Sequence, residues 1–270
     1  MTVETRAPVT LNVRGVSMRF GGVQALEDVS FEARSGEVLG IMGPNGAGKT
    51  TLFNVISGLQ YPTTGSVLLD DVLLTGRSVD RVAALGVTRT FQTPIMFWGL
   101  SVQESVCVAL TAREFGGAYP PRPDRALVPS GLGLPARRRD DAALRARADA
   151  LLERAGMTHM GRRPTESLAF GEERLLELTR ALAVDPRVLL LDEPLSGLNP
   201  DEIAEVLRLI AGARANGIAV LLVEHAVGEL LSIADRVVVL DYGRTIAEGA
   251  PAEVAANPAV IDAYIGDELE

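Results

Sequence analysis

Residues Gly43-Pro44-Asn45-Gly46-Ala47-Gly48-Lys49-Thr50 constrain this chain more than any other stretch. The apolar run Val38-Leu39-Gly40-Ile41-Met42 leads into them as a buried strand, and Thr51–Ser57 leaves them as a helix. Strand, glycine-rich loop and helix in this order match G-x-x-x-x-G-K-[ST], the loop that cradles phosphates. Its backbone N–H groups and the positive end of the helix face one anion, so the surrounding fold has to be α/β. Lys49 is the only lysine in 270 residues, and every other strongly basic residue is arginine. An ammonium is a compact charge that reaches β- and γ-phosphates from inside a tight loop, where a planar guanidinium fork would not fit.

The length suits one α/β domain carrying an insertion, and 47% hydrophobic residues supply an ample core. The net charge of −9 argues against a nucleic-acid partner, which would need a basic face to neutralise phosphates. Arginines cluster at Arg137-Arg138-Arg139 and at Arg162-Arg163, but both clusters have acidic neighbours and read as solvated loop. The single cysteine, Cys107, excludes an intrachain disulfide and a cysteine-built metal site; between Val106 and Val108 it reads as a packed small side chain. The longest apolar run, Ile218–Val223, is strand-length and falls far short of the roughly 18 residues that cross a bilayer. No basic region followed by an apolar core opens the chain, so no signal peptide is expected. The expectation is a soluble intracellular protein whose membrane work, if any, is done through a spanning partner.

Patterning gives the layout. Leu11–Phe20 and Val29–Ala33 read as strands, with a turn at Gly21-Gly22. Residues 93–167 differ in character: Ile95-Met96-Phe97-Trp98 follow Pro94, helices are expected at Ser101–Leu110 and Asp140–Ala155, and the Pro/Gly/Arg-rich stretch Arg113–Arg139 reads as a long surface loop. Beyond Phe170 a helix is expected at Glu172–Val184. Fully apolar strands at Val188–Leu191, Ala219–Val223 and Val237–Leu240 then alternate with helices at Asp201–Ala215 and Ala226–Ala234. That alternation implies a mostly parallel sheet covered on both faces.

A phosphate loop alone says only that a nucleotide binds. Val188–Leu191 ends in the adjacent carboxylates Asp192 and Glu193, followed by Pro194. Neighbours on a strand point to opposite sides, so the two acids can serve different tasks. Asp192 is suited to Mg²⁺ and Glu193 to the attacking water; taken alone the pair could equally be an acidic turn. Leu168-Ala169-Phe170-Gly171-Glu172 lies just before a helix, another place where an anion is welcome. His225 follows Leu221-Leu222-Val223-Glu224, and alone it would read as structural.

Together and in order, residues 43–50, 168–172, 188–194 and His225 resemble an ATP-binding-cassette ATPase over essentially the whole chain. Ala169-Phe170-Gly171, Arg89-Thr90-Phe91-Gln92, Ser196-Gly197-Leu198-Asn199-Pro200 and the closing segment from Asn257 to Gly266 narrow the resemblance to the LivG-type ATPases of branched-chain amino-acid importers. The resemblance implies an α/β fold of the ABC P-loop type, with a mostly parallel core sheet, an antiparallel β subdomain and an inserted helical subdomain. It divides one domain into a RecA-like core with β subdomain (1–92 and 168–250), a helical subdomain (93–167) and a C-terminal tail (251–270).

The same resemblance assigns roles. Phe20 stacks on adenine. Gly43, Pro44, Asn45, Gly46, Ala47, Gly48, Lys49, Thr50 and Thr51 hold the ATP phosphates. Ala169, Phe170, Gly171 and Glu172 meet the nucleotide of a second ATPase subunit. Thr50, Gln92 and Asp192 attend Mg²⁺, and Glu193, His225, Gln92 and Lys49 act in catalysis. The implied partners are integral-membrane permease subunits, a second cassette, identical or different, and indirectly a periplasmic or extracellular substrate-binding protein. The implied place is the cytoplasmic face of the membrane. A lipid- or lipopolysaccharide-export ATPase looks similar. A third reading, a soluble ABC ATPase acting on DNA or ribosomes, is less favoured: such proteins usually carry long coiled coils, zinc sites or two cassettes in one chain, which this sequence does not show, and its acidic charge weighs against it. Position 169 is alanine where most of the superfamily has serine, as is usual for the subfamily; Glu172-Glu173 stand where glutamine is common, and Ala226 follows the histidine where aspartate is frequent. Ile95–Trp98 fit either a groove for a permease loop or the packing of the helical subdomain.

Overall fold

Three runs that are apolar at nearly every position, Val38–Met42, Val188–Asp192 and Ala219–Val223, are buried throughout and lie side by side at the centre of a sheet. A strand covered on both faces cannot alternate polar with apolar, which is why the sequence marks these so clearly. The computed structural model describes residues 8–116 and 135–267. Its contacts divide into two units, one of residues 1–92, 187–196 and 210–270, the other of residues 93–186 and 197–209.

In the first unit, β1 (Thr10–Phe20) and β2 (Val23–Arg34) form a hairpin. Then come β3 (Val38–Met42), α1 (Lys49–Ile56), β4 (Thr64–Leu69), β5 (Val72–Leu73), α2 (Val79–Ala84) and β6 (Val87–Arg89). Four strands make an antiparallel sheet in the order β2-β1-β4-β5. β2 begins six residues before the expected Val29, because its first residues, exposed at Val23 and Gln24, pair with β1 up to the turn, Phe20 opposite Val23.

The second unit holds α3 (Val102–Gly116), α4 (Pro135–Arg154) and α5 (Phe170–Ala183), with α3 packed on both others. Its apolar contents include Val102, Val106, Leu110, Ala148, Leu152 and Leu176. The expected loop Arg113–Arg139 is corrected at both ends. α3 runs on to Gly116, and α4 starts at Pro135, a residue whose fixed φ suits the first turn of a helix. Arg137-Arg138-Arg139 therefore lie on a helix, and the middle of that stretch, 117–134, falls outside the described residues.

β7 (Val188–Asp192) follows. The next helix, α6 (Pro200–Ala215), is divided between the two units. The first unit closes with β8 (Ala219–Val223), α7 (Val227–Ile233), β9 (Arg236–Asp241), β10 (Arg244–Gly249), α8 (Pro251–Ala255) and α9 (Pro258–Asp267). Its main sheet has the order β10-β9-β3-β8-β7-β6, parallel except for β10. One face is covered by α1, through Leu52, Phe53 and Ile56, and by inward side chains of β1, β2 and β4. Val237, Val239 and Leu230 of the other region pack with Val254, Val260 and Tyr264, so residues 251–267, expected as a tail, form helices seated on β9.

Candidate functional site

Parallel order decides where the chemistry gathers. β3, β8, β7 and β6 are consecutive neighbours running the same way, so their carboxyl ends share one edge of the sheet. The residues at or just past those ends are Gly43–Thr50, Glu224-His225, Asp192-Glu193 and Gln92. Ligands of open α/β sheets bind outside this edge.

Past β3 the chain turns sharply. A Cβ on Gly43, at φ +149, would lie 2.1 Å from the carbonyl oxygen of Leu240, and one on Gly48, at φ +102, would lie 2.5 Å from that of Ala25. Only glycine lets the backbone pass so close to β9 and β2. Gly48 caps α1 with no side-chain acceptor, so the first N–H groups of the helix, from Lys49, Thr50 and Thr51, remain directed outward for an anion. Pro44 is half-buried, Asn45 and Gly46 are exposed at the loop's tip, and Ala47 is buried beneath it. Lys49 Nζ, buried, donates to the carbonyl oxygens of Gly43 at 2.6 Å and Pro44 at 2.8 Å. The ammonium thus lies across the mouth of its own loop. At the hairpin tip Phe20 is exposed beside Gly21, an available aromatic face.

Past β7 the two carboxylates do separate. Asp192 accepts from the Arg89 guanidinium at 2.8 Å, with both side chains more than nine-tenths buried. Arg89 also donates to Asn54 at 2.6 Å and lies over the ring of Phe91. Glu193 takes a left-handed backbone, φ 52, uncommon for a residue with a side chain and held by its N–H bond to Val223 O at 2.9 Å. Its carboxylate accepts from Gln92 Nε2 at 2.9 Å and meets His225 Nε2 at 2.7 Å. Two residues that follow two other strands, Gln92 after β6 and His225 after β8, therefore converge on the carboxylate that follows β7. Glu224, next to His225, is buried and accepts the N–H of Leu195 at 2.6 Å, which ties the turn after Glu193 to the end of β8.

Sequence reasoning missed what Arg89 and Glu224 do. Arg89 stands inside a motif that the sequence marks, yet its partner lies 103 residues away and neither shows the pairing by spacing. Removing one partner of a buried ion pair strands the other charge. Arg89→Met is therefore expected to lower unfolding stability by about 3–5 kcal/mol, read as a fall in the urea midpoint at unchanged slope.

In the second unit, Ala169 precedes α5 and its N–H is taken by the Glu172 carboxylate at 2.8 Å, one half of a capping box. The other oxygen of Glu172 meets Arg163 at 2.9 Å. Burial works against the charge of Glu172, but the Ala169 N–H and the Arg163 guanidinium outweigh it and hold the carboxyl below its usual range. The unusual acid at 172 is therefore occupied in starting its helix, and Arg163 is its ion partner rather than a merely solvated loop arginine. A Cβ on Gly171 would lie 2.2 Å from Glu202 Oε1, so a side chain there would displace the Glu202 carboxylate. Phe170 is exposed, with Arg174 over its ring.

The cluster Ile95–Trp98 divides. Phe97 faces inward under the Arg180 guanidinium, 4.6 Å from the ring centre, while Ile95 and Trp98 point outward, Trp98 at 78% exposure. Cys107 is half-buried on α3, and burial pushes its thiol up.

The donors suit the expected ligands. A loop whose glycines exclude a Cβ, and which opens onto uncapped amides, fits a polyphosphate. Thr50 hydroxyl, Asp192 carboxylate and Gln92 amide are hard oxygen donors. One carboxylate with substrate phosphates is how Mg²⁺ is usually held, in contrast to an all-protein cage. Among the described residues no cluster of three His, Cys, Asp or Glu offers such a cage.

Comparison with known proteins agrees with this geometry. Residues 26–196 match the family model for ABC transporter, and residues 244–270 match that for branched-chain amino acid ATP-binding cassette transporter. The chain belongs to the ABC transporter family, as one of its ATP-binding proteins. It is 39% identical to the high-affinity branched-chain amino acid transport ATP-binding protein LivG of Escherichia coli K12, over 95% of this chain and 98% of that one. It is 31% identical to the lipopolysaccharide export system ATP-binding protein LptB of the same strain, over 96% and 98%. Its fold is similar to that of MJ1267, an ATP-binding cassette of an ABC transporter, with a TM-score of 0.78 at 29% identity over 95% and 98% of the two chains.

Proposed function

We propose that this chain hydrolyses ATP as one of a pair of cassettes and passes the work to separate permease subunits, powering uptake of branched-chain or related hydrophobic amino acids. The observation that carries the substrate class is the match of residues 244–270 to a model specific to branched-chain amino-acid cassettes, beyond the general cassette match of residues 26–196. No helix among the described residues is long and apolar enough to cross a membrane, so on this reading the spanning is done by other chains and the cassette sits on the cytoplasmic face.

The chemistry proposed is positioning plus charge stabilisation, the usual economy of phosphoryl transfer. Lys49 leaves the carbonyls of Gly43 and Pro44 for the terminal phosphates, while the amides of 46–51 hold the rest. Magnesium, when bound, would neutralise charge between the phosphates, with Thr50, Asp192 and Gln92 to hold it. Arg89 keeps one oxygen of Asp192 occupied and so orients the carboxylate. Glu193 orients the attacking water and accepts its proton, His225 steadies the terminal phosphate, and Phe20 stacks on the base. Ala169-Phe170-Gly171 of one subunit complete the site of the other, with Glu172 starting the helix behind them. Ile95 and Trp98 are the apolar contacts offered to a permease loop, whereas Phe97 is a packing residue.

Affinity purification of the tagged chain from detergent-solubilised membranes of its own source, with partners identified by mass spectrometry, tests this. Two polytopic membrane proteins and a second cassette are the expected companions. The similarity to LptB supports a second reading, lipid or lipopolysaccharide export; periplasm-bridging partners in place of a permease pair would favour it. Ribosomal or DNA-bound partners alone would overturn both.

A further inference from the structure

The phosphate loop is held from a place 221 residues away. The N–H of Gly43 donates to the hydroxyl oxygen of Tyr264 at 2.9 Å. Tyr264 lies on α9, packed against the apolar cluster that holds Met42, Leu230, Val237, Val239, Val254 and Val260. Burial pushes its phenol up, so it stays protonated. Gly43 is the hinge where β3 becomes loop, and both of its backbone polar groups are engaged: the carbonyl takes Lys49 Nζ at 2.6 Å, the N–H is taken by Tyr264. α9 also runs along the loop's flank. Ala259, Asp262 and Ala263 share with Pro44, Asn45 and Gly46 the wall of a cavity of about 510 Å³.

We propose that Tyr264 is a positioning residue for nucleotide binding: its hydroxyl fixes the first peptide of the phosphate loop and so presets the loop for polyphosphate. The proposal rests on reading residues 43–50 as the ATP loop. Its physical reason lies in what Lys49 does. When the ammonium moves to phosphate, the Gly43 carbonyl loses that contact, and the Tyr264 bond to the N–H still holds the same residue. Without it, a buried N–H loses its acceptor and the loop has to be ordered by the nucleotide itself, at the expense of affinity.

The test is Tyr264→Phe, which removes one oxygen, alongside Tyr264→Met, which fills the space differently. ATP and ADP affinities are measured by isothermal titration calorimetry on the purified chain, well below its melting temperature, with KM and kcat in the assembled transporter. Both variants are expected to raise Kd for ATP and ADP alike by about 3- to 10-fold, the worth of one buried hydrogen bond, and KM in step, with kcat within about twofold. Unchanged affinities, whatever happens to the melting temperature, would show the bond to be merely structural and overturn the proposal. A wild-type chain that binds neither nucleotide would instead overturn the reading of the loop, and the proposal with it.

Discussion

Glu193→Gln is expected to cut steady-state ATP turnover by about 10²–10⁴-fold, the range general-base catalysis supplies, while leaving ATP affinity close to wild type. The amide matches the carboxylate in shape. It can still accept from Gln92 Nε2 and still meet His225 Nε2, at positions now 2.9 and 2.7 Å from the carboxylate oxygens. What it cannot do is take a proton from water. Phosphate release measures the loss of turnover. Size-exclusion chromatography with ATP shows the second consequence, a long-lived ATP-bound dimer, because closure no longer ends in hydrolysis. Retention of rapid turnover, or failure to trap that dimer, would remove Glu193 from the role given to it.

Lys49→Ala acts earlier. The ammonium makes two bonds to loop carbonyls at rest and is proposed to exchange them for phosphate oxygens. Charge-assisted bonds are each worth about 1.5–3 kcal/mol, so losing the pair should weaken ATP binding by about 100-fold or more and abolish measurable turnover. Calorimetric titration with ATP separates this from Glu193→Gln, which binds but does not turn over. Hydrolysis that survives Lys49→Ala would mean that the nucleotide sits elsewhere.

The two variants also mark what the sequence could show. Each lies in a contiguous motif whose residue types follow from local geometry: glycines where β9 and β2 leave no room for a Cβ, carboxylates at the end of a fully buried strand. Val188–Asp192 and Ala219–Val223 are legible as central strands because burial on both faces removes every polar position from their interiors. Legibility ends where partners are distant. Arg89 with Asp192, Glu224 with Leu195 and Tyr264 with Gly43 join residues between 29 and 221 positions apart, and no periodicity encodes such pairings. Composition misled at Arg113–Arg139, where arginine and alanine at the ends are good helix formers despite the prolines and glycines between them. The closing residues were too short and too proline-marked to read as more than a tail, although α8 and α9 complete the packing over β9.

The convergence of Gln92 and His225 on Glu193 has a consequence for selectivity. On the function proposed above, the carboxylate that accepts the proton is one already bonded to Gln92 and His225, so an arriving nucleotide has to exchange those bonds for its own. A diphosphate offers neither a terminal phosphate for the histidine nor a water in line for the carboxylate. It can occupy the loop and leave this knot tied. A triphosphate can replace both bonds with its own. On that reading the knot is a threshold that would sort nucleotides by their far end rather than by how tightly the loop grips them.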